Sequence, residues 1–312
     1  TMDEIPALTA DDTEDCVNIS GENFTLTFDK HTGTIASFKF KDTELIANGP
    51  IPNFWRAATD SDLGFYSMLT LATWRYAGAD RQIQDVQVNS TDKAVEITVT
   101  SKLPTETESD YTQVYTIYGT GDVKVKSTLV PGSADLPMIP EVGNLLQMPL
   151  EFDNVTWYGK GPDENYIDRQ TGYDVGIYTN TVDNFYVDYI KPQETGNRTY
   201  VRGVSLTNDE GVGLLAKAEG TMEFNALYYT PEELNTNLHS YMLPEPTTIT
   251  LRLNERQMGV GGDNSWGAEP LTQYQNPADQ TYEYTYTLKP IDNSDPAASM
   301  AEYKTVLPEM ED

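Results

Sequence analysis

Val95-Glu96-Ile97-Thr98-Val99 alternates apolar and polar positions residue by residue, and Tyr111-Thr112-Gln113-Val114-Tyr115-Thr116-Ile117 repeats the pattern a short way on. Gly119 to Asp122 turn the chain, after which Val123-Lys124-Val125-Lys126 resumes the alternation. A period of two bounded by Gly, Asn, Asp and Pro is the mark of half-buried strands in a sandwich or barrel. Outward from this stretch the pattern continues. Phe24, Leu26 and Phe28 alternate up to the turn Asp29-Lys30-His31-Thr32-Gly33, Ile249, Leu251 and Leu253 alternate with Thr250 and Arg252, and Tyr282, Tyr284, Tyr286 and Leu288 close the series. Helical signals are brief: Ser67 to Tyr76, and Pro231 to Leu243 with Thr230 as N-cap. Strand spacing this continuous predicts one large antiparallel all-β domain over residues 21–290.

Both ends differ in composition. Residues 1–20 hold six acids and no base, and residues 291–312 hold six acids and one base, Lys304. They read as an acidic lead-in segment or linker and an acidic C-terminal spacer. The whole chain of 312 residues has 20 Lys and Arg against 49 Asp and Glu, a net charge of −29. This argues against nucleic acid or an anionic membrane as partner, because phosphate binding needs a basic footprint. No run of about 18 apolar residues is present, so no membrane helix is expected, and without a basic n-region followed by an apolar h-region no signal peptide is expected in these residues. Cys16 is the only cysteine, and His31 and His239 are the only histidines, which excludes an internal disulfide framework and a multi-histidine or cysteine-rich metal centre.

Chemistry-bearing residues cluster in three motifs. In Trp55-Arg56-Ala57-Ala58-Thr59-Asp60-Ser61-Asp62-Leu63-Gly64 the choice lies between a mobile ligand-side loop and a loop shaped by an Arg56–acid pair. In Gly159-Lys160-Gly161-Pro162-Asp163-Glu164-Asn165-Tyr166-Ile167-Asp168-Arg169 a loop locked by hydrogen bonds is favoured over a functional polar network. The third, Gly259-Val260-Gly261-Gly262-Asp263-Asn264-Ser265-Trp266, lacks the lysine and following helix of a phosphate cradle. Its glycines allow backbone shapes that a Cβ would forbid, and such a loop can carry Trp266 outward as a platform for the C–H face of a sugar. A core position for Trp266 is the competing reading. Acids that could pair across a glycosidic bond include Asp60 with Asp62, Asp163 with Glu164, and Asp168. Spacing selects none of them over ordinary solvated loop acids.

Taken in order, these motifs resemble the C-terminal small-chain domain of the large lacZ-type family 2 β-galactosidases. The marks are Ile5-Pro6-Ala7-Leu8-Thr9, the Arg56-Ala57…Asp60-Ser61-Asp62-Leu63-Gly64 loop, the 159–169 motif, Tyr189 to Gly196 with Pro192, Glu194 and Gly196, and Met258 to Trp266. The resemblance implies a galactose mutarotase-like β-supersandwich. It also implies a non-catalytic role, since the family's catalytic glutamates lie in a separate TIM barrel for which this chain has no (β/α)₈ pattern. It carries over two site residues. Trp266 matches the platform for the aglycone or acceptor sugar, and Gly64 matches a loop beside the active site that shifts during the reaction. The expected reaction of the parent is hydrolysis of terminal β-D-galactosides such as lactose, with this chain inactive alone. No cofactor is expected here, magnesium and sodium belonging to other domains where the family uses them. The expected partners are the remaining domains of the parent and a galactoside sugar. The compartment, bacterial cytoplasm or cell exterior, stays open. Two alternatives use the same fold: an aldose 1-epimerase-like enzyme, which needs a histidine beside a carboxylate and has only His31 and His239 to offer, and a stand-alone carbohydrate-binding module.

Overall fold

The computed structural model describes residues 1–310. A five-stranded sheet holds β1 (Thr9–Asp12), β2 (Cys16–Ser20), β3 (Phe24–Asp29), β4 (Thr34–Phe40) and β5 (Thr43–Glu44) in that spatial order. A twelve-stranded sheet follows. Its strands are β6 (Asn48–Asn53), β7 (Gln82–Ser90), β8 (Ala94–Leu103), β9 (Ser109–Tyr118), β10 (Val123–Val130), β11 (Glu141–Met148), β12 (Asn154–Gly161), β13 (Asp174–Thr181), β14 (Arg198–Thr207), β15 (Val212–Leu227), β16 (Ile249–Gln257) and β17 (Tyr282–Asp292). Its spatial order is β13-β12-β14-β15-β17-β10-β9-β8-β7. β16 lies between β15 and β11, with β6 beyond β11. Among the described residues three short α-helices lie between strands, α1 (Asp60–Gly64), α2 (Ser67–Thr70) and α3 (Pro231–Thr236), and α4 (Pro296–Ser299) follows β17. No helix among the described residues is long and apolar enough to cross a membrane.

The alternating stretches Val95–Val99, Tyr111–Ile117 and Val123–Lys126 form β8, β9 and β10, neighbouring strands on the β7 side of the large sheet. Val125 pairs with Tyr115 on one side and Tyr286 on the other, and all three side chains are buried. On this face Val95, Ile97, Val99, Tyr115 and Ile117 meet Val17, Ile19, Leu26, Phe28 and Phe38 of the small sheet in one core, where the rings of Phe28 and Tyr115 cross edge to face at 4.9 Å. Each such side chain contributes about 1.5–3 kcal/mol when fully buried. A second apolar cluster, with Phe54, Trp55, Trp74, Tyr111, Met258 and Tyr284, sits at one end of the sheet beneath α1 and α2.

The two acidic ends are not linkers. Residues 1–20 contain β1 and β2, and Val17 and Ile19 are buried. The acids of this stretch face solvent while every second residue of β2 faces the core, a pattern that average composition conceals. After β17, α4 and a following turn (Met300–Lys304) fold back onto the large sheet. Met300 is 1% exposed and packs with Leu215 and Ile291. The ring of Tyr303 meets Tyr158 at 5.2 Å. Lys289 pairs with Glu302 at 2.6 Å, the Lys217 Nζ reaches the carbonyls of Glu302 and Thr305, and the Tyr118 hydroxyl donates to the Pro308 carbonyl at 2.8 Å. Leu307 and Met310 complete a small cluster with Met2, Ile5 and Tyr118. The segment is therefore a docked strap, and its acids serve the lysines of the strands below. Residues 311 and 312 of the expected spacer lie outside the described residues.

Candidate functional site

Residues of four sequence motifs, 55–64, 159–169, 189–196 and 258–266, meet in one place. α1 starts at Thr59, whose hydroxyl accepts the Asp62 N–H while the Asp62 carboxylate accepts the Thr59 N–H, a reciprocal cap. The same carboxylate receives Arg56 in bidentate fashion, Nε to Oδ2 at 3.0 Å and Nη2 to Oδ1 at 2.8 Å. Both side chains are almost fully buried. Burial works against the Arg56 charge, and Asp62 more than offsets it, so the guanidinium is held above its ordinary pKa. The remaining donors of Arg56 reach the glycine-rich loop, Nη1 to the Met258 carbonyl and Nη2 to the Gly259 carbonyl at 2.8 Å.

Asp168 approaches the same loop from the 159–169 motif. Its Oδ2 accepts the N–H of Val260 and of Gly261, both at 2.9 Å. Beyond this point the loop carries only local bonds, with Asn264 Oδ1 accepting the N–H groups of Trp266 and Ala268. Trp266 is 80% exposed. Gly64, the last residue of α1, lies against the loop so closely that a Cβ there would stand 2.2 Å from the Ser265 carbonyl oxygen. The glycines at 259 and 262 serve the same need for close approach. A Cβ would meet Asp168 Oδ2 at 2.7 Å and the Glu269 carbonyl at 2.6 Å respectively.

Beneath the loop lies a sealed polar network. Arg252 donates through Nη2 to both oxygens of Glu194, at 2.8 and 2.7 Å, and through Nη1 to Glu141 at 2.8 Å. The Tyr166 hydroxyl donates to Glu194 at 3.2 Å. Glu223 accepts the Gln257 N–H at 2.7 Å, and the Gln257 side chain spans from Arg56 to Glu194. Glu141, Glu194 and Glu223 are 0%, 3% and 6% exposed. Burial pushes the Glu223 carboxyl up to about 8, against the Gln257 and Asn197 hydrogen bonds. It pushes Glu141 up to about 7 against the pull of Arg252. In a separate cluster Glu164 accepts from Gly196 N at 2.7 Å, Thr195, Tyr189 and Arg169. Burial opposes its charge, but these donors hold its pKa below the usual carboxylate value.

The beta galactosidase small chain family matches residues 20–288. The chain belongs to this family. A beta-galactosidase of Priestia megaterium is 43% identical over 286 residues, which cover 92% of this chain and 28% of the relative. A beta-galactosidase of Halalkalibacterium halodurans is 32% identical over 278 residues, covering 88% and 27%. The small chain thus spans just over a quarter of the length of these relatives. Among solved structures, the GalM/aldose epimerase homologue from C. elegans superposes with a TM-score of 0.50 at 8% identity, over 91% of this chain and 99% of that one. This likeness is one of fold alone, and it agrees with the galactose mutarotase-like architecture expected.

In the small chain the two carried-over positions, Gly64 and Trp266, touch one another across their loops. Trp266 is exposed, so the core position weighed for it does not hold. Arg56 does pair with an acid, Asp62, and the pair also grips the neighbouring loop. Of the acids read as solvated, Asp60 and Asp163 are exposed, while Asp62 and Glu164 are buried and Asp168 binds backbone amides. His31 is exposed and bonds Asp15 in the first hairpin. His239 is exposed too and stacks on Tyr241 with ring centroids 5.2 Å apart. Neither bonds a buried glutamate among the described residues, and the histidine–carboxylate contact that does form, His31 with Asp15, lies at the surface. Among the described residues no three His, Cys, Asp or Glu groups are placed to hold a metal ion. Nothing in the sequence pattern singles out Glu141, Glu223, Arg252 or Gln257. Arg252 reads as a solvent position of an alternating strand, but Ile249 to Asn254 is buried on both faces of the sheet.

Proposed function

We propose that this domain is the non-catalytic C-terminal part of a family 2 glycoside hydrolase, a β-galactosidase, and that it completes the active site with the Trp266 loop. The observation that carries the reading is a large aromatic ring held in solvent on a loop whose base is pinned from two sides. Glycoside hydrolysis needs two carboxyl groups flanking one bond. Here the buried glutamates are already committed to arginines and amides and are closed to a sugar. On this reading the chemistry belongs to other domains of the parent polypeptide. The domain offers an indole face for the aglycone or acceptor sugar, with Gly64 on the adjoining loop. The substrate reading is a terminal β-D-galactoside such as lactose.

Burial of one aromatic face on a sugar contributes on the order of 1–3 kcal/mol. Trp266→Ala in the full-length polypeptide is expected to weaken productive binding roughly 5–150-fold, most strongly where glucose occupies the acceptor position. Steady-state hydrolysis and transfer to added glucose measure this. Unchanged kinetics in both assays would overturn the role given to Trp266. Hydrolysis of a chromogenic β-galactoside by the isolated domain, co-eluting with it through purification, would overturn the non-catalytic assignment.

A further inference from the structure

We infer that Asp168 and Arg56 form a two-sided latch that sets the aim of the Trp266 loop, with Asp168 as a dedicated positioning residue. The two groups grip four consecutive residues by their opposite backbone polarities. The Arg56 cation takes the carbonyls of Met258 and Gly259, and the Asp168 anion takes the amides of Val260 and Gly261. Past Gly261, no side chain outside the loop bonds its backbone through Trp266 among the described residues; Asn264 serves it from within. The direction of the loop tip therefore follows from how these four peptide groups are held.

The two sides of the latch are not equivalent. Arg56 is locked from behind by Asp62 in α1 and cannot leave without exposing a buried charge. Through that pair it also ties the α1 segment that ends at Gly64 to the base of the Trp266 loop. Asp168 is only partly buried, its second oxygen Oδ1 has no protein partner, and its whole engagement with the loop rests on Oδ2. Gly259 completes the fit, because any side chain there would collide with the Asp168 carboxylate at 2.7 Å. Arg56 is thus the fixed jaw and Asp168 the separable one.

This inference rests on the reading of Trp266 as a ligand-facing residue only for its consequence, and the latch can be tested without it. Hydrogen exchange of the Val260 and Gly261 amides in this chain is the direct readout. Charge-assisted hydrogen bonds of this kind predict roughly 10- to 100-fold faster exchange at both amides in Asp168→Ala. Exchange at Tyr115 and Val125 in the large sheet should stay as in the parent chain. Asp168→Asn, which keeps one acceptor oxygen, should fall between the two. Unchanged exchange at Val260 and Gly261 would overturn the latch, and so would an equal acceleration at Tyr115 and Val125, since that reports global loosening. Kinetics of the full-length polypeptide then separate the two claims. If Asp168→Ala frees the amides and weakens acceptor-sugar binding with kcat for hydrolysis retained, latch and function stand together. If the amides are freed while neither Asp168→Ala nor Trp266→Ala changes acceptor binding, the latch stands and the functional role of Trp266 falls.

Discussion

Two regions of this molecule treat irregular chain in opposite ways. In one, residues 259–268 leave the sheet, and their largest side chain, Trp266, stands in solvent. In the other, residues 296–310 lie down on the sheet, and Met300 is 1% exposed. Both segments look alike in sequence terms, since each lies beyond a strand and is polar and rich in small residues or acids. The difference is in what receives them. The strap finds Leu215 and Ile291 for its apolar side chains and lysines for its acids. The Trp266 loop finds only backbone grips at its base. A segment with partners becomes structure, and one without them remains a presented surface.

The buried carboxylates beneath the Trp266 loop give the protein a pH response near neutrality, and this is the largest expected effect. The Glu223 carboxyl is raised from 4.5 to about 8, chiefly by burial, with Glu141 adding to the rise and Arg256 opposing it. The folded protein then keeps a proton that the unfolded chain has released. Stability should fall as pH rises from about 4.5 to about 8 and level off above, by up to about 5 kcal/mol. Denaturant unfolding across pH 5–9 measures the slope. Glu223→Gln should reduce it, leaving the part that Glu141 contributes up to about pH 7, and leave the variant more stable than the parent chain at pH 8. A slope unchanged by the substitution would remove Glu223 from the account.

Removing one partner of the buried Arg56–Asp62 pair is the next largest effect. Asp62→Ala leaves a guanidinium without its counter-charge and is expected to cost about 3–5 kcal/mol, read as a drop in thermal midpoint. The paired substitutions Met300→Ala and Trp266→Ala then test the contrast directly, because each removes one large side chain from one region. Met300→Ala should cost about 2–5 kcal/mol. Trp266→Ala should stay within about 0.5 kcal/mol, as for an exposed position. Equal losses would mean that both regions are packed alike and that the contrast fails.

Legibility in the sequence follows the same divide. β8 and β10 could be read directly, because residues at Val95–Val99 and Val123–Lys126 see a core on one side and a more polar environment on the other, and that difference is written in alternate letters. β16 is legible as a strand from Ile249, Leu251 and Leu253, but the burial of its polar positions is not, because both faces are covered and its arginine is neutralised by glutamates from distant strands. The same letter, Asp or Glu, denotes a solvated acid at Asp60 and an interior anchor at Asp62, and only the partner decides. The strap did leave a trace, in Met300, Tyr303, Leu307 and Met310 scattered through an acidic stretch, but a net count of charge hides it. For Trp266 the residue types allowed either burial or exposure. The choice between them came from family resemblance, and the structure agrees with the exposed one.

The smallest expected effect on stability tests the junction where the two loops meet. In Gly64→Ala the new Cβ would begin 2.2 Å from the Ser265 carbonyl and 3.1 Å from the Trp266 Cα. Those are backbone atoms, so one of the two segments must move. α1 is held through Thr59, Asp62 and the buried Arg56, whereas the loop beyond Gly261 is held only by its own Asn264. The loop should therefore yield, carrying Trp266 with it. Alanine is favoured over glycine within a helix by about 1 kcal/mol, which offsets part of the strain and keeps the net change in stability near zero. The readout is fluorescence, because Trp55, Trp74 and Trp157 are buried and Trp266 is the exposed tryptophan. Its anisotropy and acrylamide quenching should shift in Gly64→Ala, and the shift should be absent when the same substitution is made in a Trp266→Phe background. If Gly64→Ala instead lowers the thermal midpoint by many degrees and leaves the Trp266 signal unmoved, α1 is the segment that gives way, and the loop is more rigid than its bonding implies.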